Sequence, residues 1–333
     1  MKVIWLGLIG LIVLALLGGG IYYYVKPKAL PPPIVMQNAG SNVSNQTITL
    51  ENLDFNNPPA NQNPLKDNNG PYFHDVYTAT SSDGLNFSNP TKILSSASVP
   101  DAVRLASGRI FIYAVDGANR SLSGLMVATS TDNGSTWKTG SLNIISSRGK
   151  MNIGVDPQVV LLDDGKLRLY YMVGLGTNDN DPNQKHDIYS AISSDGLNFT
   201  EEDGVRFSYA QMTDPDVVKI GSTWFMYISQ GPKNIAATST DGLTFTFKQI
   251  VRERGSVSKT VAVDSKTFRQ FYCGTGGIAS DTTTDGLTFK VDSSLRLAAP
   301  EGKMLCDPSP VKTDSGWLLI YKVANQIAPN KPK

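Results

Sequence analysis

Three observations predict an all-β chain folded as a five-bladed β-propeller. A hairpin-tip motif, S-x-D-G-x-x-F, recurs five times. A second series of hairpins, opening on Asp-Pro, interleaves with it. One such unit occupies roughly 45 to 60 residues, the length of a four-stranded blade.

The tips are SSDGLNF (81–87), STDNGSTW (130–137), SSDGLNF (193–199), STDGLTF (239–245) and TTDGLTF (283–289). Their aspartates, Asp83, Asp132, Asp195, Asp241 and Asp285, lie 49, 63, 46 and 44 residues apart. An alternating run rich in β-branched or aromatic residues precedes each tip, as DVYTATS or DIYSAIS, and reads as a half-buried strand. The Asp-Gly pair supplies the turn. Gly takes positive φ, and Asp caps the turn backbone through its carboxylate. These five aspartates are therefore structural.

Two tips carry histidine, in HDVYTATSSDGLNF and HDIYSAISSDGLNF, which agree at 11 of 14 positions. His74 and His186 thus mark one position in two copies of a unit, just before the third strand of a blade. A shared metal is not expected, because those blades are not neighbours.

The interleaved series reads PDAVRLASGRIFIYAV from Pro100, DPQVVLLDDGKLRLYYMV from Asp156, DPDVVKIGSTWFMYIS from Asp214 and DPSPVKTDSGWLLIYK from Asp307. Between the last two, KTVAVDSKTFRQFYCG has the hairpin without the Asp-Pro. Blades then start near Pro100, Asp156, Asp214, Ser256 and Asp307. The fifth holds only its first hairpin before the chain ends, and Tyr72–Leu94 holds a tip hairpin with no predecessor. The N-terminal strands are expected to complete the C-terminal blade, which leaves no open sheet edge. In such a ring the Asp-Pro strand starts surround the mouth of a central funnel, and the S-x-D-G tips lie on the opposite face.

Upstream, Val3 to Val25 carries no charge over 23 residues, enough to span a bilayer. Trp5 and Tyr22–Tyr24 stand near its ends. Residues 1–28 are expected to be an N-terminal transmembrane anchor. A cleaved signal peptide is the alternative, and the domain would then be secreted. Residues 29–70, rich in Pro and Asn, read as a disordered linker. The propeller occupies 71–325, and 326–333 form a tail. The domain is expected to be extracytoplasmic, at the cell membrane.

With 30 basic and 29 acidic side chains mixed along the chain, no face for nucleic acid is expected. Two cysteines, Cys273 and Cys306, cannot form a disulfide framework. Two buried thiols or a single bridge both fit.

The S-x-D-G-x-x-F tips with inner strands opening D-P-x-V resemble the five-bladed propellers of the arabinanase, xylosidase, levansucrase and invertase group. The family 43 glycoside hydrolases are the nearest type. STDNGSTW also resembles the Asp-box of sialidases, which are similar to six-bladed propellers. The family 43 resemblance implies an inverting mechanism with two carboxyl groups ~6.5–9.5 Å apart. It implies a general base on the first inner strand, which falls on Asp101. It implies an aspartate tuning the acid on the third, which falls on Asp214. The general-acid glutamate belongs on the fourth, where Ser256–Ser258 stand instead. Glu253, just upstream, is the candidate, with Glu301 as the second.

Asp156, Asp307 and Glu301 are the substrate-binding candidates. The partner would be a polysaccharide or oligosaccharide, and no cofactor is required. The Asn/Asp-rich loop 174–185 could take calcium. The expected function is a glycoside hydrolase-like propeller that acts on or binds polysaccharide. The alternatives are a non-catalytic propeller that binds glycan or protein, and a sialidase-like enzyme.

Overall fold

The computed structural model describes residues 47–56, 63–64, 69–148, 154–173 and 183–326. They form five sheets with two short 3-10 turns, antiparallel except where Asn143–Ile145 pairs in parallel with Asn198–Glu201.

Each blade is built as the alternating sequence requires. Blade 1 runs Ala97–Arg104, Ile110–Asp116, Leu125–Ser130 and Lys138–Ser141 from axis to rim. Blade 2 follows with Gly154–Leu161, Leu167–Val173, Lys185–Ser193 and Asn198–Glu201. Blade 3 holds Met212–Ile220, Thr223–Gln230, Lys233–Ser239 and Thr246–Arg252. Blade 4 holds Ser258–Ala262, Phe268–Gly274, Gly277–Thr283 and Lys290–Val291. Blade 5 takes Lys303–Thr313 and Gly316–Asn325 from the C-terminal end, then Asp75–Ser81 and Ser88–Ser95 from the N-terminal end. Asp75–Ser81 pairs with the C-terminal strand over its whole length, from Asp75 opposite Val323 to Ser81 opposite Trp317. The ring is closed by hydrogen bonds between the two ends of the domain.

The tips form as their sequence dictates. At the first, Ser81 Oγ donates to Asp83 Oδ1 at 2.8 Å, and the Leu85 and Asn86 amides donate to the same oxygen at 2.8 and 3.0 Å. This pattern of amides on one carboxylate repeats at Asp195, Asp241 and Asp285. It holds Asp241 and Asp285 down to about 2.

The aromatic residues of the second strands lock blade to blade. Tyr113, Tyr170 and Tyr227 are fully buried. Their hydroxyls donate to the carbonyls of Gly196, Gly242 and Gly286, the tip glycines of the next blade, at 2.9, 2.7 and 2.8 Å. Gly196 must be glycine: its φ is +78°, and a Cβ there would lie 2.8 Å from the Phe111 ring.

Two expectations meet the structure differently. The N-terminal anchor expected over 1–28 lies outside the described residues. No helix among the described residues is long and apolar enough to cross a membrane. The linker expected over 29–70 is in part packed structure. Leu53 is 7% exposed against Gly140, Ile48 pairs with Asn198 at the tip of blade 2, and the Phe55 amide donates to Thr139. Four large apolar side chains among the polar residues of 47–56, Ile48, Leu50, Leu53 and Phe55, dock that stretch along blades 1 and 2. The cysteines form one bridge, Cys273–Cys306, which joins blade 4 to blade 5.

Candidate functional site

The inner strands share one irregularity. Val99, Asp156, Asp214, Val257 and Asp307 all adopt left-handed backbone, with φ between 48° and 57°. In four blades the pairing with the second strand slips at this point, between Ser98 and Asp101, Val155 and Gln158, Thr213 and Asp216, and Cys306 and Ser309. These are β-bulges, which bend the strand start toward the axis. Proline follows in four blades and Ser258 in the fifth. The five bulge residues and their successors surround a cavity of about 20 Å³, room for one water, one hydroxyl or one small cation.

This register sets Asp101 apart from the aspartates of the other blades. Asp101 does not belong with Asp156, Asp214 and Asp307, because its Pro100 aligns with Pro157, Pro215 and Pro308. Asp101 lies two residues further in, and its equivalents are Gln158, Asp216, Lys259 and Ser309. That second ring plugs the axis. Asp101, 5% exposed, accepts from Lys259 Nζ and from the Val159 amide at 2.7 Å, and from Ser309 Oγ at 2.8 Å. Gln158 donates to the Val217 carbonyl at 3.1 Å, and Thr260 donates to Asp216 Oδ2 at 2.6 Å. The plug thus ties blade 1 to blades 2, 4 and 5, blade 2 to blade 3, and blade 3 to blade 4. The disulfide covers the remaining seam, between blades 4 and 5. Burial pushes the Asp216 carboxyl up to about 6, with Lys259 acting against it.

Asp101, the expected general base, stands in this plug. Its carboxylate is held by an ion pair and two further hydrogen bonds, and Asp101 and Lys259 also line the mouth cavity. Glu253 and Glu301 stand apart from the ring. Glu253 is 71% exposed in the loop between blades 3 and 4 and faces Lys233 at 3.4 Å. Glu301 is exposed in the turn before the inner strand of blade 5. The calcium expectation for loop 174–185 falls, through residue 182, outside the described residues.

Asp214, Asp156 and Asp307 do come together. The Asp214 amide donates to Asp156 Oδ2 at 3.3 Å. Lys322, from the second strand of blade 5, lies 2.6 Å from Asp307 Oδ2. The Asp307 amide contacts the disulfide sulfur of Cys273 at 3.3 Å, so the bridge fixes this corner of the ring. Oδ1 of Asp307 is buried and has no hydrogen-bond partner among the described residues.

Three carboxyl groups facing one lysine cannot all ionise cheaply. Burial, opposed by the Asp214 amide and reinforced by the charge of Asp307, pushes Asp156 up to about 6. Burial and the charges of Asp156 and Asp307 hold Asp214 well above the carboxylate range. Burial pulls Lys322 down, but Asp307 beside it outweighs that and leaves it raised. Both upward shifts favour a protonated carboxyl in the ring, which can donate a hydrogen bond as well as accept one. His186 stands close enough to Asp156 to favour its charge. Its Nδ1 meets the Met212 carbonyl at 2.6 Å.

Sequence reasoning missed Lys322 and Lys259. Both had a visible signal, a single lysine inside an otherwise apolar or hydroxyl-bearing strand, in LLIYKVA and SVSKTVAV.

Below the plug the axis opens again toward the tip face. The next complete layer is Val103, Val160, Val218, Val261 and Val311, a valine from every blade. One residue further, the strand ends present Arg104, Leu161, Lys219, Ala262 and Lys312. The axis is thus polarised. An acidic ring stands at the funnel mouth and a basic one ~16 Å away, five residues along each strand.

No protein-family model matches the sequence, and neither does any functionally curated protein. Solved structures do match. A thermostable family-43 glycoside hydrolase superposes with a TM-score of 0.53 at 14% identity, over 69% of this chain and 88% of its own. An α-L-arabinofuranosidase from Lactobacillus brevis gives 0.53 at 11% identity, over 71% and 86%. A family-117 glycoside hydrolase from Zobellia galactanivorans gives 0.50 at 14% identity, over 80% and 94%. The chain shares the five-bladed propeller fold of these enzymes.

Proposed function

We propose that this propeller binds carbohydrate at its funnel mouth through the Asp156, Asp214 and Asp307 ring, and that it does not hydrolyse it by the inverting mechanism. One observation carries this reading: the occupants of the five bulge positions. The resemblance to family 43 asks for a base on the first blade and an acid on the fourth. The ring positions there are Val99 and Val257. Asp101, the nearest acid on blade 1, is committed to Lys259.

The aspartates are not explained by backbone needs alone. Asp tolerates left-handed φ better than most residues. Yet two blades make the same bulge with valine, for which that conformation is a strained outlier. Three mutually repelling carboxyls in a half-buried ring cost stability, and such clusters mark functional sites. The cavity they surround admits a hydroxyl, not a sugar ring. A saccharide would sit above it and exchange hydrogen bonds with a site that holds both carboxylate and carboxylic acid.

The same reading places the domain outside the cytoplasm behind an N-terminal membrane anchor. The uncharged stretch Val3–Val25 supports the anchor, and the Cys273–Cys306 bridge fits an oxidising compartment.

The test pairs a binding assay with a turnover assay. Affinity electrophoresis through arabinan and xylan should retard the wild type, and Asp156→Asn/Asp214→Asn should migrate freely. Neither protein should release reducing sugar from arabinosides or xylosides. Release that falls in Asp101→Asn would restore the hydrolase reading. Migration unaffected by either polysaccharide would overturn glycan binding.

A further inference from the structure

The tip-face end of the axis is a cup of about 700 Å³, within the size range of small-molecule sites. The plug seals its floor, the valine ring forms its wall, and Trp224 and Trp317 extend the lining. Arg104, Lys219 and Lys312 converge on its mouth from three of the five blades. We infer that this cup binds a small organic anion with an aliphatic body, whose chain packs on the valines and whose carboxylate meets the three cations.

The wall decides against a saccharide. Valine side chains neither donate nor accept hydrogen bonds, so sugar hydroxyls buried there would go unpaired, at a cost of roughly 1–3 kcal/mol each. An aliphatic chain meets no such penalty. The mouth decides the charge. Arg104 pairs with Asp314 at 2.6 Å and Lys219 with Asp163 at 3.1 Å, but those aspartates are 70% and 93% exposed. The Lys219 pair is exposed on both sides and holds weakly, so Lys219 can turn to a ligand. Arg104 is also held by Asn133 at 3.4 Å and adds its charge from a fixed place. Lys219 also lies 5.6 Å above the Trp224 ring, which keeps its ammonium over the apolar lining. Lys312 is exposed. The buried Lys259 on the floor belongs to Asp101 and is not part of this site. The inference is independent of glycan binding, which uses the other end of the axis.

The experiment is calorimetric titration of the full chain at low salt with hexanoate. Acetate supplies the head without the tail, and hexan-1-ol the tail without the head. Hexanoate should bind more tightly than either, with one site per chain. Ala262→Glu adds a carboxylate at an exposed position of the mouth and leaves the core untouched. It should weaken hexanoate by about tenfold or more through like-charge repulsion. Lys219→Ala/Lys312→Ala should weaken it similarly, with the melting transition of both variants confirming the fold. Hexan-1-ol binding as tightly as hexanoate would overturn the inference. So would hexanoate binding that Ala262→Glu leaves unchanged, since the ligand would then sit elsewhere on the chain.

Discussion

Replacing Asp156 by asparagine should stabilise the protein and weaken its funnel at the same time. In the folded state burial pushes the Asp156 carboxyl up to about 6 from its ordinary 3.8. About two pKa units correspond to about 3 kcal/mol favouring the protonated form. A raised folded-state pKa means that the native protein holds a proton the unfolded chain has released. The stability it contributes is present below the unfolded value, near pH 4. It declines as pH rises through the window from 4 to 6, and is lost above that.

Asparagine retains an oxygen to accept from the Asp214 amide but cannot ionise. At pH 8 Asp156→Asn should therefore exceed the wild type by up to about 3 kcal/mol, less roughly 1 kcal/mol if the new NH₂ group finds no partner. Near pH 4, where Asp156 is protonated, the two should nearly coincide. The charge of Asp156 also helps to raise Asp214, so its removal adds to the gain at high pH. The tip aspartates, held low by backbone amides, titrate below this window and are common to both proteins.

Urea unfolding followed by tryptophan fluorescence at both pH values is the assay. With an m-value of about 3 kcal/mol/M, the expected gain is a midpoint shift of just under about 1 M at pH 8. Equal shifts at the two pH values, or a variant less stable than wild type at pH 8, would refute the electrostatic account of the ring. The same variant should bind glycan less well, because the feature that costs stability is the one that binds.

Other perturbations test the axis. Lys259→Met leaves the buried Asp101 carboxylate without its counter-ion and should cost about 3–5 kcal/mol. Adding Asp101→Asn should recover most of that loss, and thermal melts of both variants would show it. Reducing the Cys273–Cys306 bridge, which spans 33 residues, or replacing both cysteines by serine, should cost about 4 kcal/mol. A urea midpoint indifferent to reductant would count against the bridge as the tie between blades 4 and 5.

The blades were legible because their signals are local. Alternation, an Asp-Gly turn and a closing aromatic specify a hairpin within about 15 residues, and counting hairpins gives the ring and its closure. The two histidines were expected just before a third strand, which holds for His74 before Asp75–Ser81, while His186 is the second residue of Lys185–Ser193. The site was only half legible. Asp156, Asp214 and Asp307 were found because each precedes a proline at a strand start. Asp101 follows its proline, which puts it two residues beyond the bulge at Val99. Only the bulges, with their left-handed residue, place it one layer below.

Sequence alone determined which strands form, how many blades they make and which end of each faces the funnel. Tertiary structure decided which charges meet. Asp101 finds Lys259 across 158 residues and Ser309 across 208, and Asp307 finds Lys322 on the neighbouring strand. A strand's periodicity is set by its own backbone. The electrostatics of an axis are a sum over five strands that share no local sequence, and their relative register exists only once the ring has closed.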